Sequence, residues 1–310
     1  MKLQIKNRAK IFICISAGVM LVALLMTVFG YGVNLGIDFA GGLNIEYNMN
    51  GTFSQADVET ALKNQGLTDF KVSTTGDAGT TLAIRIPQLS NEEEIQTLQT
   101  GLEKELLAKY PAMDVSTGVA SYVGPTAGAT LVKNAIFSVL LASLMMLVYI
   151  ALRFDVNSGM AAVLGLLHDV LIMVSFMVIL RSFIQMNSSF IAAMLTIVGY
   201  SINNTIVIFD RIRENNRKPE YASISRDEVV NISIGQSLGR TINTTLTTLV
   251  TIVALYVMGV PAIREFSLPI IIGILAGLYS ANLINGYVWA YLEDRGEKRR
   301  KSAKLKAKKA

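Results

Sequence analysis

The residues with chemistry in this chain lie inside apolar stretches. His168 and Asp169 interrupt GMAAVLGLLHDVLIMVSF, which has no other ionisable side chain. If that stretch crosses a bilayer, an ionisable pair near its middle costs a few kcal/mol, so such a pair points to function. The alternative is a buried pair whose members satisfy each other or a neighbouring helix. Adjacent residues on a helix point about 100° apart, so the spacing predicts one member serving structure and the other function. A second stretch, FIAAMLTIVGYSINNTIVIFDRIRENNRK, turns polar at Tyr200, Ser201, Asn203, Asn204 and Thr205 and charged from Asp210 onward. Polar groups there must face other helices or a water-filled path, since lipid does not solvate them. A third, QSLGRTINTTLTT, opens a span with Arg240 and repeats hydroxyls at Thr241, Thr244, Thr248 and Thr251. That spacing puts them on one helix face, either packing it closely or lining a hydrated route from the arginine. Asn282 and Asn285 are expected to share a face, and Gly273 and Gly277 form a small-x-x-x-small packing motif.

The elements that must position these groups are membrane helices. The chain of 310 residues is 52% hydrophobic and 16% charged, with mean hydropathy +0.45, which excludes an ordinary soluble enzyme. Six apolar spans are expected at 11–30, 134–152, 159–180, 188–209, 241–261 and 266–292. The first, following Lys2, Lys6, Arg8 and Lys10, is too long for a signal-peptide core and lacks a small-x-small cleavage site, so it reads as an uncleaved helix. The single cysteine, Cys14, lies in that span and excludes an intramolecular disulfide. Residues 35–130 carry 5 Lys/Arg against 12 Asp/Glu, and the remainder 23 against 11. The basic residues flank spans, at Arg153, Arg211, Arg213, Arg217, Lys218, Arg226 and the tail from Arg295. The positive-inside rule then places both termini in the cytoplasm: residues 1–10 and the basic tail 293–310 inside, the segment after the first span outside. Anionic lipid, not nucleic acid, is the partner this basic balance implies.

Residues 31–133 read as an outer α+β domain. Leu43–Tyr47 alternates as a strand, Ser54 and Asp57 open a helix as a capping box, and Phe70, Val72, Leu82, Ile84 and Ile86 keep period two around a turn at residues 76–79. Ser90 and Glu93 cap a second helix with Ile95, Leu98, Leu102 and Leu106 on its apolar face, closed by Tyr110-Pro111; Val115, Thr117 and Val119 supply the last strand. The order βαββαβ is that of the ferredoxin-like split βαβ fold. The domain has no metal-ligand cluster, nucleophile–base pair or phosphate loop, so binding or mechanical work is expected and catalysis is not; no metal or other cofactor is called for. An intramembrane aspartyl protease would need two facing carboxylates, here Asp169 and Asp210, but Asp210 falls at a helix end and no Gly-x-Gly-Asp occurs.

Read together and in order, four phrases resemble a known family: GIDFAGG at 36–42, VGPTAG at 123–128, His168-Asp169, and GYSINNTIVIFDRIREN, joined by QSLGRTINTTLTT. They are similar to the SecD/SecF family of the bacterial Sec protein-export machinery, in its separate SecF form, within the RND superfamily. The motif positions include Gly36, Asp38, Gly41, Gly42, Gly124 and Pro125. The resemblance implies a place in the bacterial cytoplasmic membrane, pairing with SecD, association with the SecYEG channel, and handling of preprotein on the outer face at the expense of the proton-motive force. One departure matters: most members have Asp in the SINDT phrase, the presumed proton carrier, where this chain has Asn204; Arg240 matches its presumed partner. Asn cannot titrate. The resemblance therefore implies a working carboxylate in SecD, with takeover by Asp169, or Na⁺ coordinated by Asn204 and neighbouring hydroxyls, as alternatives. Rival classes are an RND solute exporter, which would be longer and carry two large outer domains, and a passive scaffold, which would tolerate loss of Arg240 and Asp169.

Overall fold

The structure, a computed structural model, describes residues 6–75, 79–87, 92–182 and 184–307. Lys2 and the very end of the basic tail lie outside the described residues, as do Ser90 and most of the turn at 76–79. Within the described residues six helical segments are long and apolar enough to cross a membrane. They are α1 (Lys6–Val28), α5 (Pro125–Arg153), α6 (Val156–Ile179), α7 (Ser188–Asn215), α8 (Arg226–Met258), and the run formed by α9 (Pro261–Ser280) and α10 (Gly286–Ala307). A short helix α2 (Ile37–Ala40) follows the first span.

Two spans differ from the sequence expectation in instructive ways. Helix α8 begins well before residue 241, so Arg240 lies mid-helix rather than opening it. Its first half, RDEVVNISIGQSLGR, is polar on average, which hides it from hydropathy. Yet Val229, Val230, Ser233, Ile234 and Ser237 are buried at helical spacing, so the half is amphipathic and packed. Ser225 caps it by accepting from the Glu228 N–H, with Glu228 at the third helical position. The last span is not one regular helix. A π-helical turn at Ala281–Asn285 separates α9 from α10, which continues past residue 292. Helix α5 likewise starts before residue 134, with Pro125 in its first turn, where a missing N–H costs nothing.

The α+β domain contains β1 (Gly42–Asn48), α3 (Gln55–Asn64), β2 (Lys71–Thr75), β3 (Thr81–Ile86), α4 (Glu92–Lys109) and β4 (Asp114–Val123). The sheet order is β2-β3-β1-β4, with every pair antiparallel, which is the split βαβ topology. Period-two alternation works as expected: Leu43, Ile45, Tyr47, Leu82, Ile84 and Ile86 point into a core with Ile95, Leu98, Leu102 and Leu106 of α4. The alternate residues Asn44, Glu46, Ser73 and Arg85 line the opposite, polar face. The capping-box expectation at Ser54 fails. Ser54 has extended cap geometry but makes no side-chain cap bond; its N–H donates to the Tyr110 hydroxyl at 3.1 Å, and Asp57 is engaged elsewhere, with Lys109 Nζ at 2.6 Å and the Tyr110 hydroxyl at 2.6 Å. These contacts tie α3 to the end of α4, and the two made by Asp57 hold its carboxyl below the usual carboxylate range.

The domain sits at the same end of the bundle as the α6–α7 connection. At the other end Arg226 pairs with Asp294 (2.6 Å) and Glu297 (2.7 Å), Asn157 donates to Glu293, and Arg213 reaches the Arg153 carbonyl (3.3 Å). Most of the basic span-flanking residues lie at this second end.

Candidate functional site

Helix α6 carries Asp169 with no exposed side-chain surface. The carboxylate is held from three directions. His168 Nδ1 lies 2.8 Å from Oδ1, the Ser280 hydroxyl of α9 donates to Oδ2 at 2.9 Å, and the Ser201 hydroxyl of α7 donates to Oδ2. Toward an ionised carboxylate, which only accepts, Nδ1 is the donor. The second ring nitrogen, Nε2, lies 2.7 Å from the Ser16 hydroxyl of α1. The imidazole stacks on Tyr279, with ring centroids 6.1 Å apart and planes 13° apart, and the Tyr279 hydroxyl donates to the Phe12 carbonyl at 2.7 Å. One buried acid therefore ties four helices together. His168 and Asp169 are expected to point apart, yet despite the angle between neighbours both side chains swing into one network.

Toward the α10 end lies a second polar layer. Gly165 and Asp169 are one turn apart on α6, as are Ser201 and Thr205 on α7. Between them the Asn285 amide donates to Thr205 Oγ1 at 2.9 Å. It lies directly over Gly165, where an added Cβ would come within 2.3 Å of both amide heteroatoms. The π turn is what allows this. Its wider winding brings residues five apart, Ser280 and Asn285, onto one face, so each reaches its own layer. Asn285 Oδ1 is buried and has no partner among the described residues.

Asn204 is buried and donates to Thr245 Oγ1 of α8 at 3.3 Å, while Thr241 donates to Asn282 Oδ1 at 3.3 Å. The hydroxyl stripe divides. Thr241 and Thr245 are buried, whereas Thr244 and Thr251 are exposed and Thr248 is half-buried; these three bond back to carbonyls of their own helix instead of reaching across the bundle. Asn282 and Asn285 are both buried, but the π turn sends one to α8 and the other to α7. Gly273 and Gly277 do pack closely: an added Cβ would meet Ile197 at 2.5 Å and Ser201 at 3.1 Å.

Three sequence candidates lie apart from this centre. Asn203 is exposed on α7. Asp210 is exposed and 3.7 Å from Arg153, so it does not face Asp169, and the two carboxylates form no protease-like pair. Arg240 is exposed on α8. It is five residues from Thr245, about 7.5 Å along the axis and roughly 140° around it. It thus lies about a turn and a half from the level of Asn204, toward the start of α8, and points away from it. Sequence reading missed Ser16, Gly165, Thr245, Tyr279 and Ser280. Of these only Ser16 left a signal, as the one serine in the first apolar span.

The glycine motifs form a separate structure where the α+β domain meets the bundle. Gly41 and Gly42 have φ of +75° and +112°, and a Cβ on Gly42 would lie 2.6 Å from the Ile86 carbonyl oxygen, so the turn from α2 into β1 requires glycine. Gly124 precedes α5 as its cap, and Gly128 lets α5 approach the backbone of α2, with an added Cβ 3.0 Å from the Phe39 carbonyl oxygen.

The profile of the family described as "Protein export membrane protein SecD/SecF, C-terminal" matches residues 103–295, and that of the "SecD/SecF GG Motif" matches residues 28–50. The SecF protein translocase subunit of Endomicrobium trichonymphae is 34% identical over 89% of this chain and 86% of its own length. The fused SecDF subunit of Bacillus subtilis is 33% identical over 93% of this chain, which spans 38% of that longer protein. The crystal structure of SecDF from Thermus thermophilus, a translocon-associated membrane protein, superposes with a TM-score of 0.78 at 33% identity, again over 93% of this chain and 38% of the other.

Proposed function

The chain belongs to the SecD/SecF family of protein-export membrane proteins, and on that premise we propose that it is the SecF-type accessory subunit of export, working beside a SecD half. It is a multi-pass membrane protein. Relatives that carry SecD and SecF in one polypeptide support pairing with a separate SecD here. We assign the outer domain to the extracytoplasmic side and both termini to the cytoplasm, in keeping with the basic residues gathered at the end opposite that domain. SecYEG and emerging preprotein are the further partners of this reading, and an ion gradient is its energy source.

The observation that carries the reading is the placement of Arg240. A guanidinium exposed on the flank of a membrane helix is costly toward lipid and calls for a partner. Among the described residues Arg240 makes no side-chain hydrogen bond or ion pair. Its face turns away from Asn204, so the counter-charge belongs to a neighbouring subunit. This favours a working carboxylate in SecD, with Asn204 retained as a packing and hydrogen-bonding residue. Moving one charge through 100 mV supplies about 2.3 kcal/mol, enough to bias a two-state outer domain.

The test is preprotein translocation into inverted vesicles containing this chain and its SecD, with proton and sodium gradients collapsed separately. Dependence on protons with the native Asn204 is expected. Dependence on sodium that shifts toward protons in Asn204→Asp would instead make position 204 the ion selector. Indifference to both gradients would leave a scaffold.

A further inference from the structure

The glycine-motif segment at residues 36–42 does more than turn the chain. Between α1 and the outer domain the backbone lies along the α6–α7 connection. The Met186 N–H donates to the Asn34 carbonyl and the Gly36 N–H to the Met186 carbonyl, each at 2.7 Å, and the Asn34 amide reaches the Arg181 carbonyl at 3.1 Å. Asp38 then seats itself on the start of α7. Its Oδ2 accepts the Ser188 backbone N–H at 2.8 Å and also the Ser188 hydroxyl. Helix α7 thus has two caps. Asn187 accepts from the Phe190 N–H at 3.3 Å, and Asp38, from the root of the outer domain, takes the donor at Ser188.

Elsewhere the domain stands off the bundle. A polar cleft of about 430 Å³ lies between the open face of the sheet and the bundle end, lined by Asn44, Glu46, Ser73, Arg85, Gln185 and Glu265 among others. Beside the joint, Arg85 of β3 spans it, donating to the Leu35 carbonyl at 2.9 Å and to the Gln185 side chain. Helix α7 runs from Ser188 to the buried polar centre at Ser201 and Asn204. That is 13 to 16 residues, about 20–24 Å of regular helix. A shift of α7 at its centre therefore moves Ser188.

We propose that Asp38 is the positioning residue that couples α7 to the outer domain, so that a gradient-driven displacement of α7 within the bundle is transmitted through the Asp38–Ser188 contact. This rests on the reading that the chain uses an ion gradient. The α7 cap works as a link because both of its bonds end on a single carboxylate fixed between α5 and β1.

The experiment uses the full complex with SecD in proteoliposomes. Hydrogen exchange of the outer domain, with and without an imposed gradient, is measured alongside gradient-stimulated translocation. Asp38→Ala removes the acceptor. Ser188→Pro removes both donors yet suits the first helical position, and Asn187 before it is already extended (φ −120°, ψ −173°). Both variants are expected to lower gradient-stimulated translocation at least about ten-fold and to abolish the gradient-dependent change in exchange, with the double variant no worse than either. Asp38→Asn keeps an oxygen for the Ser188 N–H and should retain most of both responses, a rescue that a need for charge alone would not show. A normal gradient response in Ser188→Pro, or in a folded Asp38→Ala, overturns the proposal. A native complex that ignores the gradient in both readouts overturns the ion-coupled reading itself, and the proposal with it.

Discussion

Replacing Asp169 separates its structural from its electrostatic role. Alanine there leaves three donors facing empty space: His168 Nδ1–H and the hydroxyls of Ser201 and Ser280. Leaving these three buried donors unsatisfied, at about 1–2 kcal/mol each, costs about 3–5 kcal/mol. Asparagine is nearly isosteric, and the network can absorb it. Its oxygen accepts from the two serines, and its amide donates to His168 Nδ1 once the ring proton moves to Nε2. From there the ring donates to Ser16 Oγ, 2.7 Å away. Every partner is kept, so Asp169→Asn should cost about 1 kcal/mol, the scale of one net hydrogen bond. The gap between the two variants is then about 2–4 kcal/mol. It is measured as unfolding free energy of the purified chain in mixed micelles at neutral pH, followed through Trp289, the only tryptophan, which belongs to the same core cluster. Equal destabilisation by Asn and Ala would refute the tautomer argument, and a harmless alanine would refute the four-helix tie. If the Asn variant folds well and exports normally, Asp169 holds helices together and carries no proton.

Three further outcomes follow from particular contacts. Gly165→Ala places a methyl group 2.3 Å from the Asn285 amide and should destabilise by about 1–3 kcal/mol, with much of the loss recovered in Gly165→Ala/Asn285→Ala, as a double-mutant cycle would reveal. In export assays Arg240→Ala should be far more damaging than Asn204→Ala; equal and complete loss in both would argue against a carboxylate supplied by SecD. In the α+β domain, Asp57 is depressed and Lys109 raised by their mutual contact, chiefly its hydrogen bond. The Asp57 contribution is present above its unfolded value and lost as pH falls through the lower folded one. The Lys109 contribution is present below its unfolded value and lost as pH rises through the higher folded one. Native and Asp57→Asn chains should therefore differ in thermal stability near neutral pH and converge in strong acid; a difference that persists at pH 2 would break the argument.

What the sequence determined by itself are the features set by local pattern. Hydropathy located six spans, since a helix that hides its backbone from lipid must be apolar over about 20 residues. Period two and period 3.6 located the domain's strands and helices, and Ile95, Leu98, Leu102 and Leu106 went to the core as their spacing required. Boundaries failed where burial comes from an amphipathic stripe rather than mean apolarity, as in the first half of α8. The site was legible only as a set of suspicious residues. Tertiary structure decided which of them meet: Asp169 with Ser16, Ser201 and Ser280 through side chains from helices far apart in the chain, Asp210 and Asn203 excluded, Arg240 turned outward. The decisive element, the π turn at Ala281–Asn285, has no pattern of its own. It brings Ser280 and Asn285 each to a hydrogen-bond partner on another helix, contacts that exist only once the bundle has packed.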